Sequence, residues 1–113
     1  MKIFVDNFRG IGYYKKGEAA VRSLYDIGPK PKNPIMVNGR GRTPDGMTDS
    51  ALNEVKNVKS QSFTQQLRDY SDIAKDNGLE MNLYINEGAK ISKPLEQAWK
   101  SGDINIIRYP IKD

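Results

Sequence analysis

Asp45, Glu54 and Lys56 are the residues of this chain whose types and spacing best suit chemistry. They lie in TPDGMTDSALNEVKNVK, residues 43–59, where Pro44-Asp45 is followed nine residues later by Glu54-Val55-Lys56. ALNEVKNVK reads as a strand. Successive strand side chains point to opposite faces, so Glu54 and Lys56 share one face while Val55 points the other way, into a core. A turn at Pro44-Asp45-Gly46 brings Asp45 beside them. Two carboxylates and an ammonium crowded together are costly unless a cation joins them or a polyanion is being processed. Two hard oxygen ligands with open positions suit Mg²⁺ or Mn²⁺. The plain alternative is a β-hairpin with a PDG turn and a solvated Glu/Lys face. Asp49 rivals Asp45, since it too precedes Glu54 at short spacing; the place of Asp45 after Pro44 favours it.

Composition narrows the chemistry by what it lacks. The chain has 113 residues and neither cysteine nor histidine. Disulfides, thiolate nucleophiles and Cys-ligated zinc are excluded. So are a Ser-His-Asp triad, a His-based ribonuclease, an HNH-type nuclease and a His-ligated zinc site. An enzyme built from these residues runs on carboxylates, lysine or tyrosine, with a hard metal ion. Zn²⁺ is disfavoured. The net charge of +4 and a pI near 9.3 fit a nucleic-acid partner or an acidic protein partner. No segment approaches the length of a membrane span. The start, MKIFVDNF, does not read as a signal peptide.

The elements that must position the group follow from periodicity. Residues 1–16 read as a lead-in segment, with IFV as a short strand and FRGIGYYKK either as surface or as a basic, aromatic face for nucleic acid. GEAAVRSLYDIG, 17–28, reads as a helix with Ala20, Val21, Leu24, Tyr25 and Ile27 on its apolar stripe. Gly28-Pro29 ends it. Glu18 sits in its first turn, as a dipole partner or as a third carboxylate at the metal site. PKPKNP, 29–34, is a connector, and Ile35 to Val37 is a short strand. Gly39 and Gly41 suggest a bend or a close backbone approach. Arg40 and Arg42 are solvated surface or phosphate clamps.

SFTQQLRDYSDIAKDNG, 62–78, reads as a second helix, with Ser62 as N-cap and Gly78 as stop. Phe63, Leu67, Tyr70 and Ala74 share one face. Gln66 falls inside this apolar arc, where it needs hydrogen-bond partners, and it is an i, i+4 neighbour of Tyr70. LEMNLYINE, 79–87, alternates as a half-buried strand. KPLEQAWKSG, 93–102, is a short helix with Pro94 in its first turn and Leu95, Ala98 and Trp99 toward the core. INIIRYPI, 104–111, is the last strand. Strands linked through helices require crossovers, so the later strands join the sheet in parallel. The expected fold is three-layer α/β with a central mixed sheet flanked by helices.

In this order the Pro44-Asp45…Glu54-Val55-Lys56 pattern resembles the PD-(D/E)xK signature of metal-dependent nucleases. Gln66-x-x-x-Tyr70 resembles the additional motif that follows it in many of them. The α-β-β-β-α-β order is that of the restriction-endonuclease-like core. From about Gly17 to Pro110 the chain is similar to restriction-endonuclease-fold toxin domains at the C-termini of bacterial polymorphic toxins, of the contact-dependent inhibition (CdiA) and Rhs types. GRGRTPDGMT, EVKNVKSQSFTQQLRDYSDIAKDNGLEMNLYI and KISKPLEQAWKSGDINIIRYP carry the likeness.

The resemblance implies a metal-dependent endonuclease acting on DNA or tRNA. Asp45, Glu54 and the Val55 carbonyl would hold Mg²⁺ or Mn²⁺, with Glu18 completing the shell or holding a second ion. Lys56 would orient water or stabilise negative charge, and Gln66 and Tyr70 would position Lys56 or a phosphate. Arg40, Arg42, Lys59 and Arg68 are candidate backbone contacts on the nucleic acid. It further implies secreted or cell-surface delivery within a large toxin, action in the target-cell cytoplasm, and neutralisation by a cognate immunity protein. Residues 17–113 are the expected nuclease unit, and residues 1–16 a remnant of the longer toxin. The rival readings are a non-catalytic nucleic-acid-binding module and a protein-interaction module on the same fold.

Overall fold

The computed structural model describes residues 17–110. Helix α1 (Glu18–Leu24) leads into a hairpin of β1 (Ile35–Val37) and β2 (Arg40–Arg42), then β3 (Gly46–Met47), β4 (Ala51–Lys56) and β5 (Ser60–Gln61). Helix α2 (Gln65–Asp76), β6 (Glu80–Asn86), β7 (Lys90–Ile91), α3 (Lys93–Lys100) and β8 (Asn105–Tyr109) complete the order. The strand and basic aromatic face expected in 1–16, and Ile111 of the last strand, lie outside the described residues. No described helix is long and apolar enough to cross a membrane.

The main sheet has the order β3-β4-β6-β8. β3 and β4 are antiparallel because a short turn joins them, with Thr48 Oγ1 accepting from the amides of Ser50 and Ala51. β4, β6 and β8 are parallel, as connections through α2 and α3 require. The expected mixed sheet therefore forms. β1 and β2 make a separate hairpin, and β5 and β7 a short parallel pair. The β1–β2 turn is Asn38-Gly39, with φ of 48° and 78°. Positive φ at both positions matches the right-handed twist of the flanking strands. This Asn-Gly signal was present in the sequence and is sharper than the bend read from Gly39 and Gly41.

Register decides which side chains share a face. Leu52, Glu54 and Lys56 of β4 pair with Met81, Leu83 and Ile85 of β6. The apolar members of this face pack with Leu67, Tyr70, Ile73 and Ala74 of α2 and Leu95 of α3. Val55, Tyr84 and Tyr109 look the other way and pack with Ala20, Val21 and Ile27. Three layers result, with α1 on one face and α2 and α3 on the other. Each fully buried Leu or Ile contributes about 1.5–3 kcal/mol.

β6 is buried on both faces, where alternation had suggested one. Tyr84 lies under the α1 layer, and Asn86 exchanges two hydrogen bonds of 2.8 Å with the backbone of Val58. An asparagine ladder also crosses the parallel strands on the α1 face. Asn105 donates to Asn82, Asn82 to Asn53, and Asn53 to the carbonyl of Ile27, at 3.0, 3.0 and 2.9 Å. The buried Asn53 and the half-buried Asn82 and Asn105, satisfied by one another, pin a single register.

Four expectations at element edges are corrected. The Glu-x-Lys strand stops at Lys56 rather than running to residue 59. Thr64, not Ser62, caps α2, its hydroxyl accepting from Leu67 N, so Phe63 lies outside the helix with the Arg68 guanidinium 4.2 Å above its ring. Leu24 and Tyr25 are exposed because α1 ends at Leu24, and Tyr25 tilts over Tyr84 instead. Trp99 is 46% exposed rather than a core anchor; Leu95 and Ala98 alone make the buried side of α3.

Candidate active site

The β3–β4 ladder pairs Gly46 with Asn53. One step further along, side chains take over from backbone pairing. The amide of Asp45 donates to Glu54 Oε1 at 3.1 Å, and the amide of Val55 donates to Asp45 Oδ2 at 2.9 Å. The two carboxylates are thereby held side by side where the edge strand leaves the sheet. Gly46 permits this path, since a Cβ there would lie 2.4 Å from the Ile27 carbonyl. Asp49, the rival, is exposed in the β3–β4 turn at the other end of this hairpin.

Strand parity brings Lys56 to the same face. Its ammonium lies 3.4 Å from Glu54 Oε2 and donates to Gln66 Oε1 at 2.7 Å. The glutamine inside the apolar arc of α2 thus has its partner. One turn on, the Tyr70 hydroxyl donates to the Thr43 carbonyl at 3.1 Å, just before Pro44-Asp45. The Tyr109 hydroxyl, from β8 of the same sheet, donates to the Lys56 carbonyl at 3.1 Å. Asp45, Glu54, Lys56, Gln66 and Tyr70 therefore form one group.

Its electrostatics are strained in the sense that suits a cation. Glu54 is 5% exposed. Burial, then the charge of Asp45, pushes its pKa up to about 7, against the opposing pull of Lys56 and the Asp45 amide. Tyr70 is held above its ordinary range by burial and by the charges of Glu54 and Asp45. A hard divalent cation between Asp45 and Glu54 would relieve both effects, so this donor set fits Mg²⁺ or Mn²⁺. Among the described residues no group of three or more His, Cys, Asp or Glu is placed to hold a metal. The acidic contribution here is thus a pair.

Glu18, expected as a third carboxylate, is engaged elsewhere. It lies one helical turn from Arg22 and accepts from Arg22 Nε at 2.8 Å. Arg40 and Arg42, expected as phosphate contacts, converge on Asp69 of α2. Arg40 binds both Asp69 oxygens and Arg42 binds Oδ2, each at 2.8 Å, and Gln65 adds a bond at 2.9 Å. Asp69 is fully buried, and these donors hold its carboxyl well below the usual range. The hairpin is thereby clamped to α2, which carries Gln66 and Tyr70. Lys59 and Arg68 are exposed, and the Lys59 carbonyl joins β5 to β7 by accepting from Lys90 N.

Lys30, Arg22 and Asp69 were not singled out from sequence. Lys30 Nζ lies 3.4 Å from Asp45 Oδ1, with no local pattern to announce it. Arg22 carried one signal, its i, i+4 spacing from Glu18. Asp69 carried another, its i, i+4 spacing from Gln65, whereas its arginine partners lie 29 and 27 residues away in sequence.

The fold and this group of side chains accord with a restriction-endonuclease-like domain. Residues 14–95 match the family described as "Restriction endonuclease fold toxin 7", and the chain belongs to that family. Membership supports a nuclease toxin in general terms, and the mixed sheet with three helices accords with it. No curated protein and no solved structure gives a significant match.

Proposed function

We propose that this domain is a PD-(D/E)xK metal-dependent endonuclease that hydrolyses phosphodiester bonds in the DNA or tRNA of a target cell. The observation that carries the reading is the juxtaposition of Asp45 and Glu54, bonded at 3.1 Å, with Lys56 3.4 Å from Glu54 on the same face. Asp45, Glu54 and the Val55 carbonyl are the ligands this assigns to Mg²⁺ or Mn²⁺. The ion supplies Lewis acidity toward a phosphoryl oxygen and a water of lowered pKa. Glu54 would hold the ion in its ionised form, the proton being released to solvent. Lys56, steered by Gln66, orients the attacking water or stabilises charge developing on phosphate. Tyr70 holds the Thr43 carbonyl and with it the approach to Asp45. Lys59, exposed just before β5, and Arg68, exposed in the first turn of α2, are assigned to phosphate contacts, whereas Arg40 and Arg42 act through Asp69.

Residues 17–113 are assigned to the nuclease unit and residues 1–16 to a lead-in from a larger toxin. Delivery by a contact-dependent or Rhs-type carrier, action in the target-cell cytoplasm and neutralisation by an immunity protein belong to the same reading.

The test incubates purified protein with plasmid DNA and with total tRNA, in Mg²⁺ or Mn²⁺ and in EDTA, beside Glu54→Gln and Lys56→Ala. Cleavage of one substrate, abolished by EDTA and strongly reduced by both substitutions, is expected. No cleavage by wild-type protein, with normal growth on expression, overturns the reading in favour of a binding or interaction module.

A further inference from the structure

The carbonyl of Asp45 lies beyond the last β3–β4 pair, and among the described residues its hydrogen-bond donor is a side chain from the α1 layer. Arg22 Nη2 donates to that carbonyl at 2.8 Å. Its Nη1 donates to the Gly28 carbonyl at 2.8 Å, and its Nε to Glu18 Oε2 at 2.8 Å. One planar guanidinium thus joins α1, the segment after it and the residue that opens β3. We infer that Arg22, oriented by Glu18, is a positioning residue that holds the Asp45 backbone so that its carboxylate stays beside Glu54. The inference rests on the metal-site reading above.

The surroundings leave little slack for any other arrangement. A Cβ at Gly28 would lie 2.0 Å from the Met47 carbonyl, and one at Gly46 would lie 2.4 Å from the Ile27 carbonyl. Met47 N donates to the Pro29 carbonyl at 3.0 Å. The segment 27–29 therefore lies directly against β3, and Arg22 fastens the two together at their ends. Each polar group of Asp45 is then occupied: the carbonyl by Arg22, the amide by Glu54, Oδ2 by Val55 N and Oδ1 by Lys30. Releasing the carbonyl removes one of the four contacts that fix Asp45 and loosens the Asp45–Gly46 peptide, which weakens the hold on its carboxylate. A lysine cannot reproduce the clamp, because an ammonium lacks the fixed fork that meets three acceptors at once. Glu18 acquires a role through Arg22 rather than through a metal ion.

The test compares wild type with Arg22→Gln, Arg22→Lys, Glu18→Gln and Glu54→Gln at pH 8. The readouts are Mn²⁺ affinity by calorimetry, amide hydrogen exchange at Val55 in metal-free protein, and the Tm. Val55 is the reporter because its amide is bonded to Asp45 Oδ2. Arg22→Gln is expected to weaken Mn²⁺ binding about tenfold, the lower end for residues supporting metal ligands. Exchange at Val55 should rise while that of Leu83 and Ile85 in β6 does not, and Arg22→Lys should restore part of both effects. Glu18→Gln keeps an acceptor oxygen for Arg22 Nε and should bind Mn²⁺ nearly as wild type. If Glu18→Gln instead loses affinity as Glu54→Gln does, Glu18 is a ligand and the inference is overturned. It is also overturned if Arg22→Gln leaves affinity and Val55 exchange unchanged, or if exchange rises uniformly with a falling Tm. Wild-type protein that takes up no Mn²⁺ overturns the metal-site reading and the inference with it. Wild-type binding matched by Arg22→Gln overturns the inference alone.

Discussion

The backbone amide of Asp45 donates to Glu54 Oε1 at 3.1 Å, so the two acidic residues are joined by a bond that does not depend on the charge of Asp45. The pair stays together in the metal-free protein even though its charges repel. The cost falls on Glu54, which is the more buried and carries a pKa near 7. Folding has placed a carboxylate where ionisation is unfavourable unless a cation is present.

The first consequence concerns stability against pH. The folded value of Glu54 is raised above its ordinary 4.5. Its contribution is therefore fully present below about 4.5 and lost as pH rises through about 7. A shift of that size corresponds to about 3 kcal/mol. Glu54→Gln, neutral at every pH and able to accept from Asp45 N, should be more stable than wild type at pH 8 by about 1–3 kcal/mol. Near pH 4.5 the difference should vanish. Urea denaturation at the two pH values measures it, and a destabilised Glu54→Gln at pH 8 would contradict the strain assigned to this group.

Metal affinity should follow the same proton. Binding requires ionised Glu54, so the Mn²⁺ affinity should fall about tenfold for each pH unit below 7 and level off above it. Calorimetry between pH 5.5 and 8.5 gives the slope. An affinity independent of pH would remove Glu54 from the ligand set.

Lys56 acts on this titration as well as on the substrate. Its charge lowers the pKa of Glu54, so Lys56→Ala should move the acidic limb of the residual activity to higher pH. The rate should drop about 100-fold or more, as for other groups that stabilise developing negative charge. Gln66→Ala, which frees Lys56 without removing it, should show a smaller loss and little movement of the limb. A pH–rate profile for each variant separates the two effects.

Arg40 and Arg42 should matter to stability before they matter to substrate. The depressed carboxyl of Asp69 contributes above its ordinary value of 3.8, and that contribution is lost only as pH falls through its lower folded value. Asp69→Asn leaves two arginines short of their shared anion and should cost about 2–3 kcal/mol at pH 7, less than for a fully buried pair because the arginines are partly exposed. Chemical denaturation measures this. If Arg40→Gln instead leaves stability intact and weakens nucleic-acid binding with a reduced salt slope, the phosphate-contact role stands.

The group at the site was legible because its members are near neighbours in sequence. Strand parity relates Glu54 to Lys56, helical spacing relates Gln66 to Tyr70, and one short hairpin carries Asp45 to Glu54. Where local signals failed, a second layer had intervened. Alternation in 79–87 identified a strand, but it could not reveal that α1 covers the Tyr84 face. The helical stripe of 93–102 included Trp99, yet the short contact of α3 uses only Leu95 and Ala98.

The sequence by itself determined the types of the longer elements but not the short strands β2, β3, β5 and β7, and it determined the parallel crossovers, the absence of cysteine and histidine chemistry, and a carboxylate–lysine group with a glutamine and a tyrosine on the next helix. These follow from periodicity, spacing and composition, which are properties of short stretches. Only the tertiary structure decided that Arg22 grips the Asp45 carbonyl, that Asp69 claims Arg40 and Arg42, and that Tyr109 braces Lys56 from across the sheet. Those partners lie 23 to 53 residues apart in sequence. They meet because helices pack on both faces of one sheet, and the donor that reaches each carbonyl or carboxylate is selected by that closure.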